Sequence, residues 1–252
     1  MGCESTACHS LQALEGAGGL LMTDHVISLY VSATKPGYIE HALTVSVDEV
    51  VVDLEDSVPS DEKDSARDVA REFLRAHPGV ENLIIRVNQP RGTALYDDLS
   101  ALVPLGLRAI RLPGARRFED VSRFFSWTKE FVDQSSVRLE LMIENREIFS
   151  DITRIVETFP QVKALTFGGG DYLADIKSES LESLWEAKRQ LVAVARECGL
   201  PAYDTVFSDY HSRDLVFGDA LRAASLGFHG KSVIHPAQIP VTREAFSDAC
   251  SS

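Results

Sequence analysis

Val50-Val51-Val52-Asp53-Leu54, then Ser60–Ala76, then Asn82–Val87 form a repeating unit that runs through the chain. The first and last segments are short and β-branched, the composition of a strand. The interval between them carries Ala66, Val69, Ala70, Phe73 and Leu74 at helical spacing, with charges in between. Further strand-like runs are Ile27–Ser32, Ala109–Leu112, Arg138–Ile143, Ala164–Phe167, Ala202–Thr205 and Gly230–Ile234. Phe118–Phe131 and Glu182–Cys198 read as helices, the second ending at Gly199-Leu200-Pro201, a helix stop followed by a strand start. Strands that alternate with helices pair in parallel, because each crossover needs a helix to bring the chain back. Eight repeats in this length fit a closed (β/α)₈ TIM barrel better than an open doubly wound sheet. The sequence therefore predicts a single-domain α/β barrel over residues 25–252.

The 252 residues are 44% hydrophobic and 25% charged, enough to bury a large core. A formal net charge of −13 argues against a nucleic-acid partner and against an anionic membrane surface. An anionic substrate would need local positive charge from an arginine or a metal. Cys3, Cys8, Cys198 and Cys250 lack metal-ligand spacing, which predicts a reduced, cytoplasmic protein. No apolar run approaches the length of a transmembrane helix. Residues 1–24, with Gly16, Gly18 and Gly19 before Leu20-Leu21-Met22, lack the basic start and apolar stretch of a signal peptide. They read as a flexible leader.

In a barrel of this kind the chemistry sits where strands end, on the C-terminal rim. The second run ends in Asp53-Leu54-Glu55-Asp56-Ser57 and the third in Arg86-Val87-Asn88. The fifth ends in Ile143-Glu144-Asn145 and the sixth in Phe167-Gly168-Gly169-Gly170-Asp171. Glu144 and Asp171 follow adjacent strands, so their carboxylates can meet at the mouth and hold a hard cation such as Mg²⁺. The simpler reading makes each a helix N-cap. Arg86 follows Leu83-Ile84-Ile85, a buried run, so its guanidinium needs a carboxylate from the protein or a substrate. Asp53, Glu55 and Asp56 need a compensating cation, and Arg86 is the one at hand. A purely structural ion-pair network accounts for the same residues. Gly168–Gly170 lacks the features of a phosphate loop and reads as a tight turn that brings backbone close to a ligand. His235 reads equally as a catalytic imidazole or a structural one.

Together these segments resemble the citrate lyase β-subunit-like branch of the HpcH/HpaI aldolase superfamily, from about Ile27 to Phe246. The marks are Asp53-Leu54-Glu55-Asp56-Ser57-Val58-Pro59 with Lys63, Ala66 and Arg67, then Ile85–Asn88, Ile143-Glu144, Gly168–Asp171 and Gly227–Ile239. The Glu55-Asp56 pair, where the aldolase branch has Glu-His, favours the citrate-lyase-like side. The resemblance implies Mg²⁺ or Mn²⁺ on Glu144 and Asp171. It implies Arg86 and Gly168, Gly169 and Gly170 around a small 2-keto or 2-hydroxy acid or its acyl-CoA thioester. It also implies carbon–carbon bond cleavage or condensation, and a homotrimer or a dimer of trimers; the transferred proton goes either to a metal-bound water or to a carboxylate of the Asp53, Glu55 and Asp56 group. Three positions depart from the pattern: Gly114 where relatives carry Lys, Gly170 where Glu is frequent, and Asn145 where a small hydroxyl residue is common. The chain also stops without the C-terminal lid of longer relatives, which predicts a more open site. Rival readings keep the metal barrel for thioester hydrolysis or decarboxylation, or make the chain a non-catalytic binding or regulatory homologue.

Overall fold

A computed structural model describes residues 25–251, so the leader assigned to residues 1–24, with Cys3 and Cys8, lies outside the described residues. The first half runs β1 Val26–Ser32, α1 Pro36–Thr44, β2 Glu49–Asp53, α2 Lys63–Ala76, β3 Leu83–Arg86, α3 Ala94–Leu102, β4 Ala109–Leu112 and α4 Phe118–Thr128. It continues through β5 Arg138–Ile143, α5 Ile152–Thr158, β6 Val162–Phe167, α6 Gly169–Asp175 and α7 Leu181–Glu197. It finishes with β7 Ala202–Asp204, α8 Arg213–Leu226, β8 Gly230–Val233 and α9 Gln238–Ser251. The eight strands pair in chain order into a closed barrel. Parallel pairing of β8 with β1, from Val26↔Gly230 to Leu29↔Val233, closes the ring.

Side chains alternate along a strand, and here the two faces have different chemistry. Val50, Val52, Ile85, Ile110, Leu139, Leu141 and Leu165 point outward and pack with Ala66, Ala70, Phe73, Phe124 and Leu191 of the helices. That layer is the main core. Inside the barrel, Val51, Ile84 and Ala109 form a small separate cluster with Tyr30. The next inward positions are charged. Arg111, wholly buried, sits 2.7 Å from Glu140, and Arg138 bridges Glu140 at 3.2 Å and Glu49 at 2.9 Å. Ser28 donates to Glu49 at 2.9 Å. Branched aliphatic layers usually fill such an interior; this one relies on paired charges, which are stable only while each partner stays in place.

Element limits differ from the sequence reading by local chemistry. α2 begins at Lys63 rather than Ser60 because Glu62 N–H bonds the Pro59 carbonyl in a turn first. β8 ends at Val233 because the Gln238 side chain takes the Ile234 N–H at 2.9 Å. Residues 168–170 are not a loop: Gly168 caps a short helix, α6, which begins at Gly169. No helix among the described residues is long and apolar enough to cross a membrane, and Cys198 and Cys250 form no disulfide there.

Candidate active site

The loop after β2 is held by its own backbone. Asp53 accepts the N–H groups of Glu55 at 2.9 Å and Ser57 at 3.0 Å. Lys63 of α2 reaches back to the carbonyls of Leu54 and Glu55 at 2.7 and 2.6 Å. Arg86, at the end of β3, grips Asp53 with two parallel bonds of 2.7 Å, a fork matched to a carboxylate. Its third nitrogen lies 3.2 Å from Asp56 and 3.3 Å from Glu55. The compensating-cation reading of Arg86 therefore holds in the structure. Asn88 donates twice to buried Asp98 of α3, which also pairs with Arg67 at 3.0 Å. Lys63 and Arg67, which marked the motif in sequence, thus brace the loops that carry the site.

Beside burial, the charge of Asp171 is felt at Glu144, where it raises the carboxyl. Neither is a helix cap: Gly114 N–H donates to Glu144 Oε1 at 2.5 Å, and the other oxygen, Oε2, is buried with no hydrogen-bond partner. Asp171 lies in the first turn of α6 and makes no hydrogen bond or ion pair among the described residues. Gly168 permits the close packing of the chain on Glu144, since a Cβ there would fall 2.8 Å from the Glu144 Cβ and 2.9 Å from Oε2. Gly114, at φ +67°, presents its N–H to Glu144, while Gln89 fills the space beside it and donates to Glu55 at 2.8 Å.

The charges are unbalanced. Burial pushes the Glu144 carboxyl up to about 8, with Asp171 and then Glu55 adding repulsion. Burial raises Asp171, and Asp56 adds to it. Burial, opposed by Arg86 and reinforced by Asp56, lifts Glu55 to about 7. Asp53 alone is held below the ordinary range, because its bonds to Arg86 outweigh the effect of burial. Two carboxylates lacking cationic partners, one with an orphaned buried oxygen, suit a hard divalent ion that takes oxygen ligands from one or two acids and keeps water or substrate on its other positions. No group of three or more His, Cys, Asp or Glu among the described residues could hold a metal, so a structural zinc-type cage is not what these residues make.

A cavity of about 460 Å³ opens here. Asp53, Asp56, Arg86, Gly168, Gly169, Gly170 and Asp171 line it; Glu55 and Glu144 are not among its lining residues. His235 is not part of the lining; it is exposed, stacks on Tyr210 at 4.5 Å and accepts the Ala237 N–H. Asn145 is buried and bonds the Ala115 carbonyl at 2.8 Å. Sequence reasoning missed Tyr30, Arg111, Thr166 and Ser232, which also line the cavity. The signal available for them was period-two alternation within β1, β4, β6 and β8.

Fold and rim together define an α/β barrel whose mouth gathers an arginine fork and carboxyls raised by burial. The family model described as HpcH/HpaI aldolase/citrate lyase matches residues 26–236, and the chain belongs to that family. It is 27% identical over 228 residues to the citrate lyase subunit beta of Leuconostoc mesenteroides subsp. cremoris, covering 87% of this chain and 76% of that protein. It is 29% identical over 238 residues to the mitochondrial citramalyl-CoA lyase of Homo sapiens, covering 87% and 70%. The citrate lyase beta subunit from M. tuberculosis, in a structure complexed with oxaloacetate and magnesium, shares the fold at a TM-score of 0.76 and 23% identity, covering 89% of this chain and 97% of that one.

Proposed function

We propose that this chain is a Mg²⁺-dependent carbon–carbon lyase acting on a small 2-keto or 2-hydroxy carboxylic acid or its acyl-CoA thioester. The observation that carries this reading is buried Glu144, its Oε2 without a hydrogen-bond partner and its carboxyl raised by burial and by Asp171, on the same rim as the arginine fork. Citrate lyase and citramalyl-CoA lyase relatives and family membership support it. Glu144 and Asp171 would hold the metal, which when bound supplies Lewis-acid stabilisation of a developing enolate or alkoxide oxygen. Arg86 keeps Asp53 as a fixed anion and turns its remaining N–H and its Asp56-facing nitrogen toward the cavity. A substrate carboxylate competes there with Asp56, whose side chain is 56% exposed and weakly held. Gly168, Gly169 and Gly170 bring backbone close to the acid. Glu55, which burial lifts to about 7, is the member of the Asp53, Glu55 and Asp56 group suited to exchange a proton near neutral pH. The same reading takes residues 25–252 as one functional unit, assembled as a homotrimer or dimer of trimers in the cytoplasm.

The test is an assay of 2-keto acids, 2-hydroxy acids and their CoA thioesters with Mg²⁺ and with EDTA, products identified by mass spectrometry. Metal-dependent release or condensation of a keto acid supports the lyase. Full activity in a Glu144→Ala, Asp171→Ala double variant would sink the assignment.

A further inference from the structure

The run Gly227–Ile239 places two almost fully buried polar side chains, Lys231 and Gln238, beside the loop that follows β7. Lys231 stands opposite Asp204 in the β7–β8 register. Ser232, next along β8, lines the cavity, so Lys231 turns the other way, toward the helices. Its three ammonium protons go to Asp204 at 2.8 Å, Asp219 of α8 at 2.7 Å and the Thr205 carbonyl at 2.6 Å. Lys188 of α7 also binds Asp204, at 3.0 Å, so two lysines balance two acids. A balanced buried quartet adds little stability that apolar packing would not. What apolar packing cannot supply is the bond to the Thr205 carbonyl. Gln238 makes a matching bond two residues on: its amide donates to the Phe207 carbonyl at 2.8 Å, while its oxygen accepts the N–H groups of Ile234 and His235. The loop after β7 is thus tied to the β8 unit at two carbonyls.

Thr205 faces the site from that loop. It lines the cavity, and its Oγ1 accepts the Gly169 N–H at 3.2 Å. Its methyl would lie 3.0 Å from a Cβ on Gly169, so the two are in close contact. Gly169 opens α6, and Asp171 stands in that first turn. Because Asp171 has no hydrogen bond of its own among the described residues, the placing of α6 decides where its carboxylate lies. The other end of α6 is held separately, at Asp175, by Arg116 at 2.7 Å and the Arg146 N–H at 3.2 Å.

We propose that Thr205 is a positioning residue for the cation site: its hydroxyl seats the first turn of α6, and so Asp171, while Lys231 holds Thr205 in place. The proposal rests on the assignment of Glu144 and Asp171 to the metal given above.

The test is calorimetric titration of Mg²⁺ into the metal-free full chain, with melting temperature in EDTA recorded alongside. Thr205→Val keeps the shape and removes the acceptor, and should raise the Mg²⁺ dissociation constant at least about tenfold. Thr205→Ser, which restores the hydroxyl, should bind within about twofold of the parent. Thr128→Val makes the same change on α4, where the hydroxyl bonds the Phe124 carbonyl at 2.8 Å. It should leave Mg²⁺ affinity within about twofold, however far it lowers the melting temperature. Lys231→Met combined with Asp219→Leu removes one charge of each sign, leaves Lys188 paired with Asp204, and should weaken Mg²⁺ at least about threefold. Affinity unchanged in Thr205→Val, or no better in Thr205→Ser than in Thr205→Val, overturns the positioning role alone. An equal loss in Thr128→Val does the same, since the effect is then one of general stability. Unchanged affinity in the Lys231 double variant overturns the part given to Lys231. A parent chain that binds no Mg²⁺ overturns the metal assignment and the proposal with it.

Discussion

Arg86 is the residue on which the rim turns. Its chemistry was legible because a charge directly after Leu83-Ile84-Ile85 has to be paired, and Asp53, Glu55 and Asp56 were the acids within reach. Arg111 hid in plain view: Ala-Ile-Arg-Leu looks like an ordinary strand until the barrel closes and its parity turns inward. Replacing Arg86 with Met leaves Asp53, 2% exposed, without its cation. The expected loss is roughly 3–5 kcal/mol in urea denaturation. The acid pair carries a pH signature. Glu144 rises from 4.5 to about 8 and Glu55 from 4.5 to about 7. A carboxyl raised on folding stabilises the protein fully below its unfolded value and loses that contribution as pH climbs through the folded one. In EDTA, melting temperature should therefore fall between pH 5 and 8.5, and Glu144→Gln should flatten that slope. Added Mg²⁺ should raise melting temperature most at the alkaline end.

At the scale of elements, the strands were legible because their β-branched runs are short and bounded, and the long amphipathic helices because their spacing is regular. α6 was not, since three glycines at its start carry no helical signal; it is held by tertiary contacts, Gly168 against Glu144, the Gly169 N–H on Thr205 and Tyr172 against Phe149 and Phe167. The β4–α4 connection is equally opaque in sequence. Gly114 stands there at φ +67°, with the Gln89 Cγ 2.6 Å from where a Cβ would be. Gly114→Ala should cost about 1–2 kcal/mol from backbone strain alone, read by chemical denaturation. Adding Gln89→Gly, which also removes the Gln89 Cβ at 2.8 Å, should relieve the steric share and leave the strain. Mg²⁺ affinity should weaken in both, because the N–H that orients Glu144 moves.

For the whole molecule, eight alternations specified the barrel, yet nothing in composition disclosed that its interior is lined by ion pairs. A net charge of −13 concentrates cations around the surface. The dissociation constant for Mg²⁺ should therefore rise several-fold between low salt and about 0.2 M KCl as screening sets in, measurable by titration calorimetry. The ion pairs themselves constrain how such a chain is assembled and inherited. A cut between β4 and β5 would leave Glu49 and Arg111 in one fragment and Arg138 and Glu140 in the other. The cut breaks Arg111–Glu140 and Arg138–Glu49, leaving Arg111 and Glu49 without those partners while Arg138 keeps Glu140. Two of the three charge pairs in this electrostatic girdle thus cross that point, and recombination between relatives should succeed best where both halves of the girdle come from the same parent.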